Sequence, residues 1–460
     1  MKTILDDALI VVNCDKNDIR KNLSMLIDEK GIIENIDGKD ILKQANPTAK
    51  TISLKGKILF PGFINCHTHL TATLNRGILE DFTFPPSFPY PRSSNSLLSD
   101  EENQIMATLG VVEGIRSGTT TFLELGRNTN IYASSIIETG ARFILGEMIQ
   151  DVNYNVIQAG TVLKSKDDFS EKLREESLER AVRLYEEWNG KNGGKVQVIF
   201  SPATTDSCSP EMLKRTRDLS EKLNTVYTIH LSQSKQEIIG IKNAWNESPT
   251  EYLYKNEFLS SKLIAAHCRY VNENEINLLG KFSVGISNNP AIASRRGAAA
   301  PIRDLINAGS QIGIGTDNMA EDMLEAARTG YFAERVRTNN ELIPQPEEVF
   351  GWATTGGAKI TDNSAELGSL EPGKNADLFV VDPRKAHLTP NLRTQSNLLN
   401  NGISSDIESL MVGGKWIMYE GEILNINEDQ LLKDAQAISE KTWGNLKEQY
   451  PTIKMPVQLD

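Results

Sequence analysis

Between Leu59 and Gly368 the chain keeps switching its hydrophobic period: short β-rich runs alternate with stretches in which apolar residues recur every three or four positions. The runs are LFPGFIN from Leu59, TTTFLEL from Thr119, RFILGEMI from Arg142, KVQVIFSPA from Lys195, TVYTIHL from Thr225, LIAAHC from Leu263, FSVGIS from Phe282 and QIGIGTD from Gln311. Near-continuous apolar strands are buried on both faces, and parallel neighbours need crossover connections. Helical patterns such as EENQIMATLGVVEGIRSG from Glu101 and SLERAVRLYEEW from Ser177 supply them. Eight such β/α units favour closure over an open sheet, so residues 59–369 are expected to form an α/β (β/α)8 TIM barrel.

The flanks have another texture. Residues 1–58 carry short strands broken by turn signals (CDKND, DEKG, NIDGKD), and residues 370–425 repeat it in LEPGKNADLFVVD and ESLMVGGKWIMYEGEIL. A lone hairpin is marginally stable, so the two ends are expected to join in one small β-sandwich domain. Residues 426–460 read as an amphipathic helix and tail, packing on the outside of the barrel or on a second subunit, which makes a homo-oligomer the expectation. Net charge is −12 with no basic block, which argues against nucleic acid or an anionic membrane and for a small-molecule substrate. No run approaches the apolar length of a membrane span, and Asp6 and Asp7 interrupt the N-terminal apolar run with no small-residue cleavage site after it, so the expected setting is cytoplasmic. The four cysteines (Cys14, Cys66, Cys208, Cys268) form no CxxC pair and are expected as free thiols.

Histidine is scarce, yet four of the chain's five close β runs. His67 and His69 end the first, and residues two apart on a strand share a face. His230 ends the fifth, His267 the sixth, and Asp317 the eighth. The C-terminal ends of barrel strands are where barrel enzymes carry their chemistry. Imidazoles and a carboxylate converging there suit one divalent ion, Zn²⁺ first, with Fe²⁺, Co²⁺ or Mn²⁺ compatible. His387, in PRKAHLTPN, lies outside the barrel and reads as a surface residue.

LFPGFINCHTHL, EGIRSGTTTFLEL, TIHLSQ, AAHC, IGIGTD and LGSLEPGKNADLFVVD together resemble the amidohydrolase superfamily of metal-dependent hydrolases. HTHL followed by RGILED, and CSPEML after the fourth strand, are similar to its atrazine/triazine-hydrolase and cytosine-deaminase-like branch. The resemblance implies that His67, His69, His230 and Asp317 ligate the metal and that His267 stands beside the metal-activated water. It further implies that Asp317 moves the water's proton while His267 stabilises developing charge. Binuclear relatives use a lysine on the fourth strand; here Lys195 sits at that strand's beginning, which favours a single ion.

Two departures bear on the substrate. Deaminases of the branch place a glutamate three residues after the fifth-strand histidine, where this chain has Gln233, which can hydrogen-bond but cannot pass a proton. Strand seven reads GISNNPAIAS, without the histidine of many relatives. Both favour hydrolysis of a C–N bond at a carbonyl-type centre: amide, urea, carbamate or lactam. The alternatives are an aminohydrolase or dechlorinase acting on a heteroaromatic ring such as a triazine, pyrimidine or purine, and an inactive scaffold. FTFPPSFPYP, residues 82–91, has the look of an aromatic-lined loop and suggests phenylurea- and thiocarbamate-cleaving members. Glu124, Asn288, Asn289 and Asn318 are candidate substrate contacts at strand ends, and Cys268 should pack in the core.

Overall fold

In the computed structural model, each β-rich run becomes a strand at or near its expected place. Phe63–Thr68, Thr119–Gly126, Arg142–Ile149, Val196–Pro202, Tyr227–Leu231, Leu263–His267, Gly285–Asn288 and Gln311–Ile314 pair in parallel, in chain order, as a closed eight-stranded barrel. The structure describes residues 1–82, 86, 88, 90–91, 93–152, 156–157, 162–455 and 457. Strand alternation fills two cores. Phe122, Phe143, Val198 and Phe200 pack in the cluster shared with the surrounding helices. Their sequence neighbours Leu123, Ile144 and Ile199, with Ile64 and Ile264, form a second cluster inside the barrel, to which Ile360 and Leu367 contribute. Helix boundaries follow local chemistry. Asp100–Arg116, for example, starts at a capping box in which Ser99 Oγ accepts from Glu102 N–H and the Glu102 carboxylate accepts from Ser99 N–H.

The first run divides, contrary to its reading as one strand. Ile58–Pro61 pairs with Thr3–Asn13 and Leu378–Val381 in a separate sheet, and the barrel begins at Phe63. Gly62 makes the crossing possible: a Cβ there would fall 2.2 Å from Thr120 Oγ1. The separate sheet is hydrogen-bonded in the order Glu422–Ile423, Lys415–Tyr419, Ile407–Val412, Leu378–Val381, Ile58–Pro61, Thr3–Asn13, Asp18–Ile27, Ile33–Asp37, with Lys50–Ser53 beside Thr3–Asn13. The two chain ends thus build one sheet, as the flanks suggested.

Two devices join this sheet to the barrel. Phe60 stacks on Phe379 at 5.2 Å, and Phe63 lies 4.8 Å from the same ring. Arg142, at the start of the third barrel strand, donates from Nε to Asp377 Oδ2 at 2.6 Å and from Nη2 to Oδ1 at 3.1 Å, while Gly413 N–H donates to the same carboxylate at 2.7 Å. The junction lies opposite the histidine end.

Helix Glu428–Gln449 packs on its own barrel. Trp443 donates to Leu74 O at 2.8 Å and stacks on Tyr90, and Arg116 pairs with Glu428. The apolar face that suggested a second subunit is covered within the chain. Phe88 and Tyr90 of the aromatic loop are buried in this contact, whereas residues 83–85, 87 and 89 of that loop lie outside the described residues. Among the described residues no helix is long and apolar enough to cross a membrane.

Because Arg142 and Asp377 are both largely buried, removing the guanidinium alone leaves a desolvated carboxylate. Arg142→Met is expected to cost about 3–5 kcal/mol in denaturant titration, and Arg142→Met with Asp377→Leu distinctly less. Equal losses would show that the pair contributes nothing through its charge.

Candidate metal centre

The five polar residues that close β runs meet at one mouth of the barrel. Asp317 Oδ1 lies 3.5 Å from His69 Nε2 and 3.7 Å from His67 Nε2, and its Oδ2 lies 3.9 Å from His267 Nε2. Across the lumen, His69 Nε2 and His230 Nε2 are 3.2 Å apart. Two overlapping sets, His67–His230–His267 and His67–His69–Asp317, each bring their ligand atoms within 4.8 Å of one another.

Hydrogen bonds set the tautomers. His69 Nδ1–H donates to Leu125 O at 2.6 Å, and His230 Nδ1–H donates to Ala203 O at 2.5 Å. Each ring therefore turns an Nε2 lone pair toward the other, an arrangement that repels unless a cation lies between. A proton is a poor candidate, because burial, then the neighbouring imidazoles, pushes His230 well below the usual histidine range. Burial likewise lowers His67, whose two nitrogens are enclosed without a hydrogen-bond partner. Asp317 is held well below the usual carboxylate range: burial raises its pKa, but His267, His67 and His69 together outweigh it. Orphaned imidazole nitrogens, opposed lone pairs and an ionised carboxylate fit a divalent cation held by His67, His69, His230 and Asp317.

His267 is wired differently. Ser287 Oγ–H donates to Asn289 Oδ1 at 3.0 Å, which turns the Asn289 amide so that Nδ2–H donates to His267 Nδ1 at 3.2 Å. The ring proton then belongs on Nε2, which is buried and otherwise without a partner. His267 presents a donor where the ligand histidines present lone pairs.

The backbone is bent to bring these groups together. His267 and Asp317 have φ of 75° and 71°, a left-handed conformation that costs non-glycine residues about 1–3 kcal/mol. Asp317 is held there because the amides of Thr316 and Asp317 both donate to His67 O, at 3.1 and 2.9 Å, and His69 N–H donates to Asp317 O at 3.0 Å. Gly315 permits the approach, since a Cβ would fall 2.8 Å from His67 Cβ. A residue absent from the sequence reasoning braces the seam. Buried Glu321 Oε2 accepts from Thr68 Oγ1 and Thr316 Oγ1, both at 2.7 Å, and from Asn65 Nδ2 at 3.2 Å. Its only advance signal was a carboxylate four residues past Asp317.

The remaining candidates separate. Glu124 has the strand parity of outward-facing Phe122, and its oxygens accept from Tyr132 Oη–H at 2.7 Å and Leu70 N–H at 2.9 Å. It anchors the loop after His69 rather than facing the cluster, and burial pushes its carboxyl up to about 7. Asn288 lies beside Gly330 of the outer helix Met323–Thr338, so of the asparagine pair only Asn289 turns to the histidines. Asn318 and Gln233 are half-buried at the mouth. The Gln233 amide N–H is held at 2.9 Å by buried Glu237, whose other oxygen takes Ser232 N–H at 3.0 Å and Thr205 Oγ1–H at 2.6 Å. Cys268 is buried, Lys195 lies near Arg142 at the opposite end, and His387 pairs with Asp406 outside the barrel.

Residues 58–417 match the model of the Amidohydrolase family. The chain is 31% identical over 447 residues to 5'-deoxyadenosine deaminase of Methanobrevibacter smithii, covering 95% of this chain and 97% of that one. It is 28% identical over 453 residues to 5-methylthioadenosine/S-adenosylhomocysteine deaminase of Halothermothrix orenii, covering 96% and 100%. Among solved structures, a zinc-bound adenosine deaminase of Xanthomonas campestris superposes with TM-score 0.85 at 21% identity, covering 96% of this chain and 98% of that one. The zinc complex of atrazine chlorohydrolase TrzN from Arthrobacter aurescens TC1 gives 0.84 at 19%, covering 95% and 100%.

Removing a ligand is expected to abolish metal retention. His230→Ala and Asp317→Ala should weaken metal binding by more than about 100-fold, beyond the loss an outer partner such as Asn289 causes when truncated. Elemental analysis after dialysis reads this, and a stoichiometric ion in Asp317→Ala would overturn the ligand set.

Proposed function

The chain belongs to the amidohydrolase family, and from that premise we propose that it is a zinc-dependent aminohydrolase that releases ammonia from a heteroaromatic ring of the purine type. It acts on carbon–nitrogen bonds other than peptide bonds. The observation that carries the ring assignment is relatedness along nearly the whole chain to enzymes named for deaminating 5'-deoxyadenosine and 5-methylthioadenosine or S-adenosylhomocysteine.

His67, His69, His230 and Asp317 would hold a divalent ion, which would supply an acidified water, of pKa about 7, and Lewis acidity. The chain's own residues do the rest. Asp317 is the proton carrier: its carboxylate takes the proton of the attacking water and returns it to the departing amine. His267, with Nδ1 occupied by Asn289, offers Nε2–H to the charge that develops on the reacting centre. Gln233 hydrogen-bonds but moves no proton. The asparagine at 289 therefore has an indirect task, fixing which nitrogen of His267 is the donor.

One observation keeps a second reading in play. Gln233 in place of an acid suits a carbonyl-type centre, as in an amide, urea, carbamate or lactam, where no ring nitrogen needs protonation. Product identity separates the two. Metal-loaded protein is expected to release ammonia from 5'-deoxyadenosine or 5-methylthioadenosine with the ring intact. Turnover of ureas or amides to amine and carboxylate or carbon dioxide, with no ammonia from any adenine nucleoside, would overturn the ring assignment. Gln233→Glu is expected to change the alkaline limb of the kcat/KM profile, where a general acid loses its proton, since a positioned general acid contributes about 10²–10⁴-fold. An unmoved profile would place residue 233 off the proton path.

A further inference from the structure

Beyond the histidines and Asp317, the barrel mouth holds a second charged feature. Arg269, two residues past His267, donates from Nη2 to the backbone oxygen of Gln233. Its Nε and Nη1 are buried with no hydrogen-bond partner. Arg269 as a whole is half-buried, its Cζ 5.6 Å from the Tyr270 ring centroid. The loop that carries it is fixed, because Cys268 N–H donates to Leu231 O at 2.9 Å and Tyr270 N–H to Ser232 O at 3.2 Å. Arg296, which ends the helix Pro290–Arg295 after strand seven, interacts electrostatically with Arg269, and both feel the Asp317 carboxylate.

A buried guanidinium with open donors calls for an acceptor. The two carboxylates that act on Arg269, Asp317 and Glu237, have other partners. Asp317 belongs to the histidine cluster, and Glu237 holds Thr205, Ser232 and Gln233. Glu80 acts on Arg296. Burial lowers Arg269 and brings Arg296 down to about 10, with Arg269 adding to the second shift. Residue 233 matters here as well. The Gln233 backbone oxygen takes one donor of Arg269, and the carboxamide at that position adds no negative charge to the segment.

We infer that Arg269, supported by Arg296, forms a subsite for an anionic group of the substrate, a carboxylate or a phosphate carried on the molecule whose ring is hydrolysed at the metal centre. A neutral nucleoside would leave the open donors of Arg269 unpaired. The inference borrows its assay from the aminohydrolase reading, and its binding arm stands without it.

The test compares kcat/KM for adenosine 5'-monophosphate (phosphate) and S-adenosylhomocysteine (carboxylate) with that for neutral 5'-deoxyadenosine, using metal-loaded wild type and Arg269→Met. At least one charged substrate is expected to be preferred by the wild type, and its ratio over the neutral one to fall at least about tenfold in the variant, as loss of a charge-assisted hydrogen bond implies. Whichever substrate loses its preference identifies the anion. A guanidinium that only braces the loop would lower all three alike, and an unchanged ratio would overturn the subsite. Should Arg269→Met fail to fold, Arg269→Gln replaces it, because it keeps a hydrogen-bonding side chain and removes the charge, and it should lower the same ratio. Calorimetry with inorganic phosphate and with acetate gives the independent arm. At least one is expected to bind the wild type at least about tenfold more tightly than the variant, and equal affinities would overturn the proposal. If no adenine nucleoside releases ammonia, the ring assignment fails by itself and calorimetry decides the subsite.

Discussion

His69 Nε2 and His230 Nε2 face each other across the barrel mouth with their ring protons committed to Leu125 O and Ala203 O behind them. Two lone pairs at 3.2 Å are tolerable only around positive charge, and burial keeps that charge from being a proton. The fold exists to hold this opposition in place. Strand one and strand five lie on different sides of a closed sheet, so neither histidine can retreat without breaking parallel pairing on both flanks. Barrel closure converts an unfavourable pair of side chains into a preorganised cation site.

The loops around the site are secured by a recurrent device, a buried carboxyl that accepts backbone N–H groups of the neighbouring turn. Glu124 takes Leu70 N–H, Glu147 takes those of Asn128 and Thr129, Asp151 takes Ser209, and Glu237 takes Ser232 and Gln233. Turns at strand ends leave amides that the sheet cannot satisfy, and an enclosed amide without an acceptor costs about 1–3 kcal/mol. Burial in turn raises Glu147, and takes Glu124 to about 7 and Glu237 to about 8. A shifted pKa in this loop layer thus accompanies bracing, as at Glu124, whose oxygens take Tyr132 Oη–H and Leu70 N–H.

The barrel was legible because its strands are apolar runs separated by helical periods, and the site was legible because scarce histidines fell at strand ends. What stayed hidden has physical reasons. LFPGFIN reads as one strand, since nothing in its hydropathy marks the change of sheet at Gly62; only the close approach of Thr120 demands it. Glu124 could have been set aside by parity, sharing the outward face with Phe122. Asn288 and Asn289 look equivalent in sequence, and the hydrogen bond from Ser287 distinguishes them. Glu321 and Arg269 act through contacts to residues more than thirty positions away along the chain, and no local pattern records such a meeting.

Residue 233 shows how chemistry and recognition become entangled at such a mouth. A carboxylic acid there would serve as proton donor, but it would be carried on a segment whose backbone oxygen already takes Arg269 Nη2–H. A guanidinium within reach of such an acid would favour its ionised form, which weakens a donor, and the acid would compete with a substrate anion for the cation. A carboxamide avoids both effects, at the loss of a proton path. In the proposed aminohydrolase reading, Gln233 leaves Asp317 as the carboxylate that accepts and returns the proton, and the proposed Arg269 subsite meets the anion. The substitution that looks like a defect when position 233 is compared with an acid is consistent with the charges that surround it.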